Sequence, residues 1–445
     1  MTTRRIIALA LIVSVILLSG TVVSLVIAKP DRYRSQITAY LQDKTGKPIQ
    51  IGRVGISLFP TLSIRLYDVG VKNPTPFPSG YFLMVPEIDA EIDVSALLHR
   101  RLAIKSLVLG APVINIISDP DGLWNFENAA IVKGSGHADR EPPPFSLGAI
   151  PTVEIKGGSL FGSSLIDPSD RPGPVVLEAR NIVALLKQVD FDSFTGPASS
   201  LVADGEISAD YVRFGSVPTT HARSHLRVLT KQVVFTNLSM EAHGGHATGD
   251  FSFGLAAPKT TFSTNLQMSD VDIAYLLAQF PGGRGKMTGK MHGTLKLEGE
   301  IEHSYSPLAG IHGSSRIIVR NGELPTLNQD KNMVKMTRFR DPGSASLAPS
   351  SFSSLSADMS LSNRRISSHQ IDIAFHGIDI ECSGSFGVAG GGGLDYQGVA
   401  KVLNGQGFFT NTMARMSGAK LENGRLSFPF RIAGTLDNPK FSVVD

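Results

Sequence analysis

After residue 46 the chain is dominated by alternation of apolar and polar positions. Residues 87–94 read acid, apolar, acid, apolar without a slip, which places Ile88, Ala90, Ile92 and Val94 on one face of a strand. Leu62, Ile64 and Leu66 repeat the pattern, as do Phe251, Phe253 and Leu255, Phe262 to Met268, Ile371, Ile373 and Phe375, and Ile378, Ile380 and Cys382. Leu426, Phe428, Phe430 and Ile432 close the series. The longest run covers residues 286–298, where Met291, Leu295 and Leu297 oppose Lys290, Thr294 and Lys296. Asp121-Gly122, Gly157-Gly158, Asn321-Gly322, residues 390–393 and Asn423-Gly424 supply turns between the runs. Period two therefore predicts a long succession of antiparallel hairpins, apolar on one side and wet on the other.

Helical signals are few. Residues 31–46 suit a short helix ended by Gly46, and residues 269–280 carry Ile273, Leu276, Leu277 and Phe280 on one stripe behind Ser269 as a start signal. Residues 328–339 and 405–416 are weaker candidates. Ahead of all of them, residues 6–28 form an uncharged apolar stretch, with Ile6, Leu17 and Ala28 at its start, middle and end. At about 1.5 Å per residue a helix of that length crosses the hydrocarbon core. Its length exceeds that of a signal-peptide core, so a retained single-pass anchor is expected over cleavage near Ala28. Long downstream regions translocate largely regardless of flanking charge, which puts the bulk of the chain outside the cytoplasm. The expected organisation is a stub and anchor over residues 1–28, a β region over 29–132, a polar Pro-rich linker over 133–144, and a second β region over 145–445.

Composition narrows the function classes. Lys and Arg total 42 against 39 Asp and Glu, a net charge of +3 with no dominant basic block, which argues against nucleic acid as a partner. Cys382 is the single cysteine, so no intrachain disulfide or cysteine-paired metal site can form. Neither G-x-S-x-G, G-x-G-x-x-G nor H-E-x-x-H occurs, and Gly283-Arg284-Gly285-Lys286 is followed by Met287 where a P-loop needs Ser or Thr. No enzyme, cofactor or metal site is expected. His243 and His246, with His221 and His225, read as exposed hairpin histidines, and Asp119 to Asp121 as a turn ahead of the lone Trp124.

A sheet with one apolar face must cover it, and three solutions stay open: a second sheet packed face to face, a closed barrel, or a trough lined for an apolar ligand.

The opening of the chain resembles the AsmA family. The similarity lies in Ile49-Gln50-Ile51-Gly52-Arg53-Val54, in Leu58-Phe59-Pro60-Thr61-Leu62, in Ser95-Ala96-Leu97-Leu98-His99-Arg100, and in Asp121-Gly122-Leu123-Trp124-Asn125-Phe126, which is similar to a D-G-x-W-N-F signature. The closing segment from Gly424 to Phe441 is similar as well. The resemblance implies a bacterial inner-membrane protein whose bulk lies in the periplasm: mainly β, a transmembrane helix followed by a long curved antiparallel groove with a few short helices. It also implies phospholipid as a partner, with other envelope proteins beside it, and a role in phospholipid transport or outer-membrane assembly. The lining expected for acyl chains is Leu62, Ile64, Leu66, Ile88, Ala90, Ile92, Val94, Leu295, Leu297, Ile371, Ile373, Phe428 and Phe430. The alternative is a membrane-tethered β-sandwich scaffold that works through protein contacts without lipid.

Overall fold

The computed structural model describes residues 30–99, 103–119, 123–126, 149–165, 175–190, 200–254, 260–279, 283–301, 310–325, 350–388, 393–402, 420–422, 425–435 and 438–443. The anchor residues Ile6, Leu17 and Ala28, the linker at 133–144 and the helix candidates at 328–339 and 405–416 lie outside them.

Among the described residues 22 strands form one sheet. The N-terminal group is β1 (Ile49–Gln50), β2 (Arg53–Ser57), β3 (Ser63–Lys72), β4 (Tyr81–Ile92), β5 (Ile104–Gly110) and β6 (Val113–Ser118). A run of long strands follows: β7 (Ile150–Ser164), β8 (Leu177–Val189), β9 (Leu201–Phe214), β10 (Val217–Leu229), β11 (Gln232–Ala242), β12 (Gly245–Gly254), β13 (Thr260–Asp272), β14 (Thr288–Ile301) and β15 (Ile311–Glu323). The C-terminal group is β16 (Ser351–Ser362), β17 (Arg365–Phe375), β18 (Ile378–Gly387), β19 (Leu394–Val402), β20 (Lys420–Glu422), β21 (Arg425–Gly434) and β22 (Pro439–Val443).

From β7 to β19 each strand pairs antiparallel with the next, as the hairpin pattern predicts. The purely antiparallel expectation fails at one place. β5 and β6 lie end to end between β4 and β7 and run parallel to β7, Leu107 facing Val153 and Ile114 facing Leu160. Parallel neighbours need a long crossover, and residues 119–149 make it. The two β regions expected from the sequence thus form one continuous sheet, joined where β5 and β6 pair with β7. Because β1 with β2, β5 with β6 and β20 with β22 share positions, the sheet is about 19 strands across, on the order of 90 Å.

The remaining elements close edges and turns. The helix α1 (Arg34–Thr45) ends at Gly46, whose φ of 64° makes the left-handed cap expected of it. Its Ile37 and Leu41 pack on the cluster of Ile49, Ile51, Val54, Leu66 and Val85, and it covers the first edge of the sheet. A second short helix, α2 (Val94–Leu98), begins where the alternation of β4 was expected to continue. Asp93 Oδ1 accepts from the Ser95 and Ala96 amides at 2.8 and 3.2 Å, so its carboxylate stops the strand by capping a turn. Val94 therefore leaves the apolar face. The third helix, α3 (Ile273–Leu277), is shorter than expected: β13 runs on to Asp272, and Asp272 rather than Ser269 supplies the cap, accepting from Ala274 N at 3.0 Å.

Neither a second sheet nor a pairing of the last strand with the first occurs among the described strands. The sheet coils on itself instead. Trp124 stacks on Phe126 with ring centroids 5.9 Å apart and meets Phe253 of β12 edge-on at 6.1 Å. Trp124 bridges to Ser118 at the end of β6, six strand positions from β12, roughly 29 Å along a flat sheet.

Candidate functional site: the apolar face of the sheet

Strand register turns the scattered apolar alternation into continuous rows. Starting at Ile56, Cα partners run through Ile64, Ala90, Leu107, Val153, Leu186, Gly205, Leu226, Phe235 and Phe251. The row goes on through Thr264, Leu297, Gly313, Leu361, Ile366, Phe386, Leu394 and Gly434. From β2 to β21 Thr264 is its one polar member, and residues opposite each other across strands share a face. A second row, nearer the other ends of the strands, runs from Val271 through Met291, Val319, Leu355, Ile373, Ile380, Ala400 and Phe428.

The two rows differ in cover. Val319 and Ala400 are fully buried and Met291, Leu355, Ile380 and Phe428 nearly so, within a core that also takes Ile273, Leu276 and Leu277 of α3. In the first row Leu297, Leu361, Ile366, Phe386 and Leu394 remain half-buried. From β14 to β19 the apolar face is packed along one margin and open toward the other, whereas Ala90, Val153 and Leu226 of the first row are buried, Val153 in a cluster with Ile150, Val189 and Ala203.

Of the expected lining, Leu66, Ala90, Ile92, Phe428 and Phe430 are buried. Leu62, Ile64, Ile88, Leu295, Leu297, Ile371 and Ile373 are half-buried, and Val94 stands 51% exposed on α2. The register unites Ile64 with Ala90, and Ile371 with Phe430 through Cys382 and Gly398. Glycines keep neighbouring strands close on this face. A Cβ at Gly293 would strike the Arg316 carbonyl oxygen, and one at Gly398 the Glu381 carbonyl oxygen.

The opposite face is a lattice of cross-strand ion pairs. Arg65 meets Asp89 at 3.1 Å, Lys105 meets Glu91 at 3.0 Å, Arg316 meets Asp358 at 2.6 Å, Lys401 meets Glu381 at 2.7 Å and Arg431 meets Asp395 at 3.0 Å. Hydrogen bonds from Lys105 and Ser106 hold the Glu91 carboxyl below its usual range. Arg213 does the same for Glu178, reaching it at 2.7 Å. His225 sits between Glu206 at 2.9 Å and Asp204 at 3.2 Å, and the Glu206 hydrogen bond raises its pKa from 6.5. These pairs solvate one side of a thin sheet and leave the other to apolar contact.

Chemistry-bearing residues elsewhere fall into structural places. Burial pushes the Cys382 thiol up to about 11, so it stays protonated among Ile371 and Gly398. No three His, Cys, Asp or Glu side chains converge on a metal site among the described residues. His243, expected to be exposed, is half-buried in the β11–β12 turn and stacks on Tyr275 of α3 at 6.3 Å. His246 is exposed as expected.

One residue that alternation could not single out is Asn125. It is completely buried, its Nδ2 donates to Asn73 Oδ1 at 3.0 Å and the Asn115 carbonyl at 2.8 Å, and its Oδ1 accepts from Ile117 N at 3.0 Å. Beside it Lys47 Nζ donates to the Phe126 carbonyl at 2.7 Å and lies over the Phe82 ring. Burial lowers the Lys47 pKa. The signature Trp124-Asn125-Phe126 is thus a latch that ties the start of the crossover to β4, to β6, to Lys47 ahead of β1 and to Asn73 after β3. Its only signal in the sequence is the family resemblance.

Residues 1–134 match the AsmA family. No match was found among curated proteins or among solved structures.

Proposed function

Residues 1–134 are an AsmA family domain, and on that footing we propose that the protein is anchored in a bacterial inner membrane and holds phospholipid acyl chains on the apolar face of its sheet. One observation carries this reading: an apolar row runs in register from β2 to β21 and stays half-buried over much of its length. Each methylene moved from water onto such a face gains about 0.8 kcal/mol, so a chain of ordinary length repays its own ordering. Headgroups stay in water at the open margin, while the packed margin, Val319 to Phe428, keeps the trough from collapsing. The sequence holds no nucleotide-binding loop, so movement along the row is passive and partners set its direction. In the cell this serves phospholipid movement or outer-membrane assembly on the periplasmic side. Because the described strands form a single sheet, a sandwich scaffold is the weaker alternative.

Protein purified from membranes in mild detergent is expected to carry phospholipid detectable by native mass spectrometry. Consistent absence of lipid from folded protein, with the same detergent leaving lipid on a known carrier, overturns the proposal.

A further inference from the structure

We infer that one corner of the sheet, the Leu58-Phe59 tip of the β2–β3 turn together with Val94 at the start of α2, inserts into the surface of the bilayer. Phe59 is 87% exposed and Leu58 is 55% exposed, whereas Leu62 at the other end of the same turn is half-buried. The tip and the head of α2 are neighbours, since Ile92 N donates to the Leu62 carbonyl at 2.9 Å. A turn that only links two strands gains nothing from exposing a phenylalanine, whereas a ring at a membrane interface is stabilised there.

What covers this corner follows from where the described chain begins. The uncharged stretch at residues 6–28 is long enough to span a bilayer, and the described chain begins at Pro30. Asp31 accepts from Val54 N at 3.1 Å, and Arg34 donates to the Gly52 carbonyl at 2.8 Å. From Val54 the strand β2 leads to Leu58 in four residues, roughly 13 Å. α1 then leads away, its far end at Thr45 preceding β1. The described chain therefore begins on the edge strand that carries the apolar tip. Exposed Arg32 and Arg53 belong to the same end of the chain as Asp31 and Asp93, while Lys105 is paired with Glu91, so charge there is balanced and the apolar side chains carry the contact. A lipid bilayer fits this corner better than a second copy of the chain, because an uncharged stretch long enough to span a bilayer immediately precedes the point where the described chain begins. The inference rests on the membrane attachment proposed above and adds a second, independent contact to it.

The test uses the full chain with Cys382→Ala, carrying Phe59→Cys, Val94→Cys or Phe214→Cys, each labelled with an environment-sensitive fluorophore and reconstituted into vesicles of phosphatidylethanolamine and phosphatidylglycerol. Phe214, 65% exposed as the last residue of β9 and at the other ends of the strands, is the reference. Spin-labelled lipids are expected to quench the probe at 59 several-fold more than at 214, with 94 between them. Equal, weak quenching at 59 and 214 in protein that floats with the vesicles overturns the tip contact while leaving the anchor standing. Failure of the full chain to float overturns both. A blue shift at 59 that grows with protein density at fixed lipid assigns the tip to contact between copies and overturns the proposal.

Discussion

Asn125 carries three side-chain hydrogen bonds inside the molecule, and its neighbours have no water to turn to. Replacing it with alanine strands the Ile117 amide and the Asn115 carbonyl, so Asn125→Ala should cost about 2–3 kcal/mol in a denaturant titration. Asn125→Asp should not restore it, because a carboxylate cannot donate to two oxygens. His225 gives a pH-dependent counterpart. Its folded pKa is raised, so the stabilisation from Glu206 and Asp204 is fully present below the unfolded value near 6.5 and is lost as pH rises through the folded value. Melting temperature should fall over that window in the parent protein and fall less in His225→Gln, and a histidine NMR titration should place the pKa of His225 above 6.5.

At the level of elements, the bends in the strands depend on residues that alternation treats as ordinary. His221, Asn237 and Asp270 have φ of 51°, 52° and 56°, and each sits where the register of its hairpin slips. Such bulges add twist and let a long sheet coil. Asn tolerates the left-handed region better than most residues, whereas a β-branched side chain does not. Asn237→Val is expected to lose about 1–2 kcal/mol, measured by thermal melting, and Asn237→Gly to stay close to the parent. The same reasoning accounts for α2: the alternation at residues 87–94 is perfect on paper, but the Asp93 carboxylate satisfies two amides of a helical turn. Local capping there outweighs one more strand residue.

For the whole molecule, the contrast between the packed and open margins separates architecture from function. Leu297 is half-buried in the open row, whereas Phe428 is 5% exposed in the packed one. Leu297→Arg should fold, because its guanidinium can reach water past the open edge, and should purify with less phospholipid. Phe428→Arg leaves an unpaired charge in the core and should cost about 4–5 kcal/mol or prevent folding, read by circular dichroism and limited proteolysis. Ile92 does not discriminate: at 5% exposure, an arginine there unfolds the N-terminal cluster with or without a ligand.

Alternation in the amino-acid sequence determines which residues share a face, because side chains along a strand point alternately to its two sides. Hence Ile64, Leu66, Ile88 and Leu297 stand on strands as their alternation predicts, with the opposite face polar, whereas Leu62 falls in the turn just ahead of β3. Glycine after a helical pattern likewise placed the end of α1 at Gly46. Tertiary structure alone decided the rest. Register, a long-range pairing property, strung Ile64 and Leu297 into one row and set Leu66 opposite Ile88 in the next. The parallel insertion of β5 and β6 beside β7 depends on where a distant strand docks, and local periodicity is blind to that. Coiling, which brings Trp124 to Phe253, accumulates from small twists and from bulges at single residues, and so leaves almost no trace in any short window of sequence. Which apolar positions are filled and which stay open follows from what packs above them, a property that no strand carries by itself.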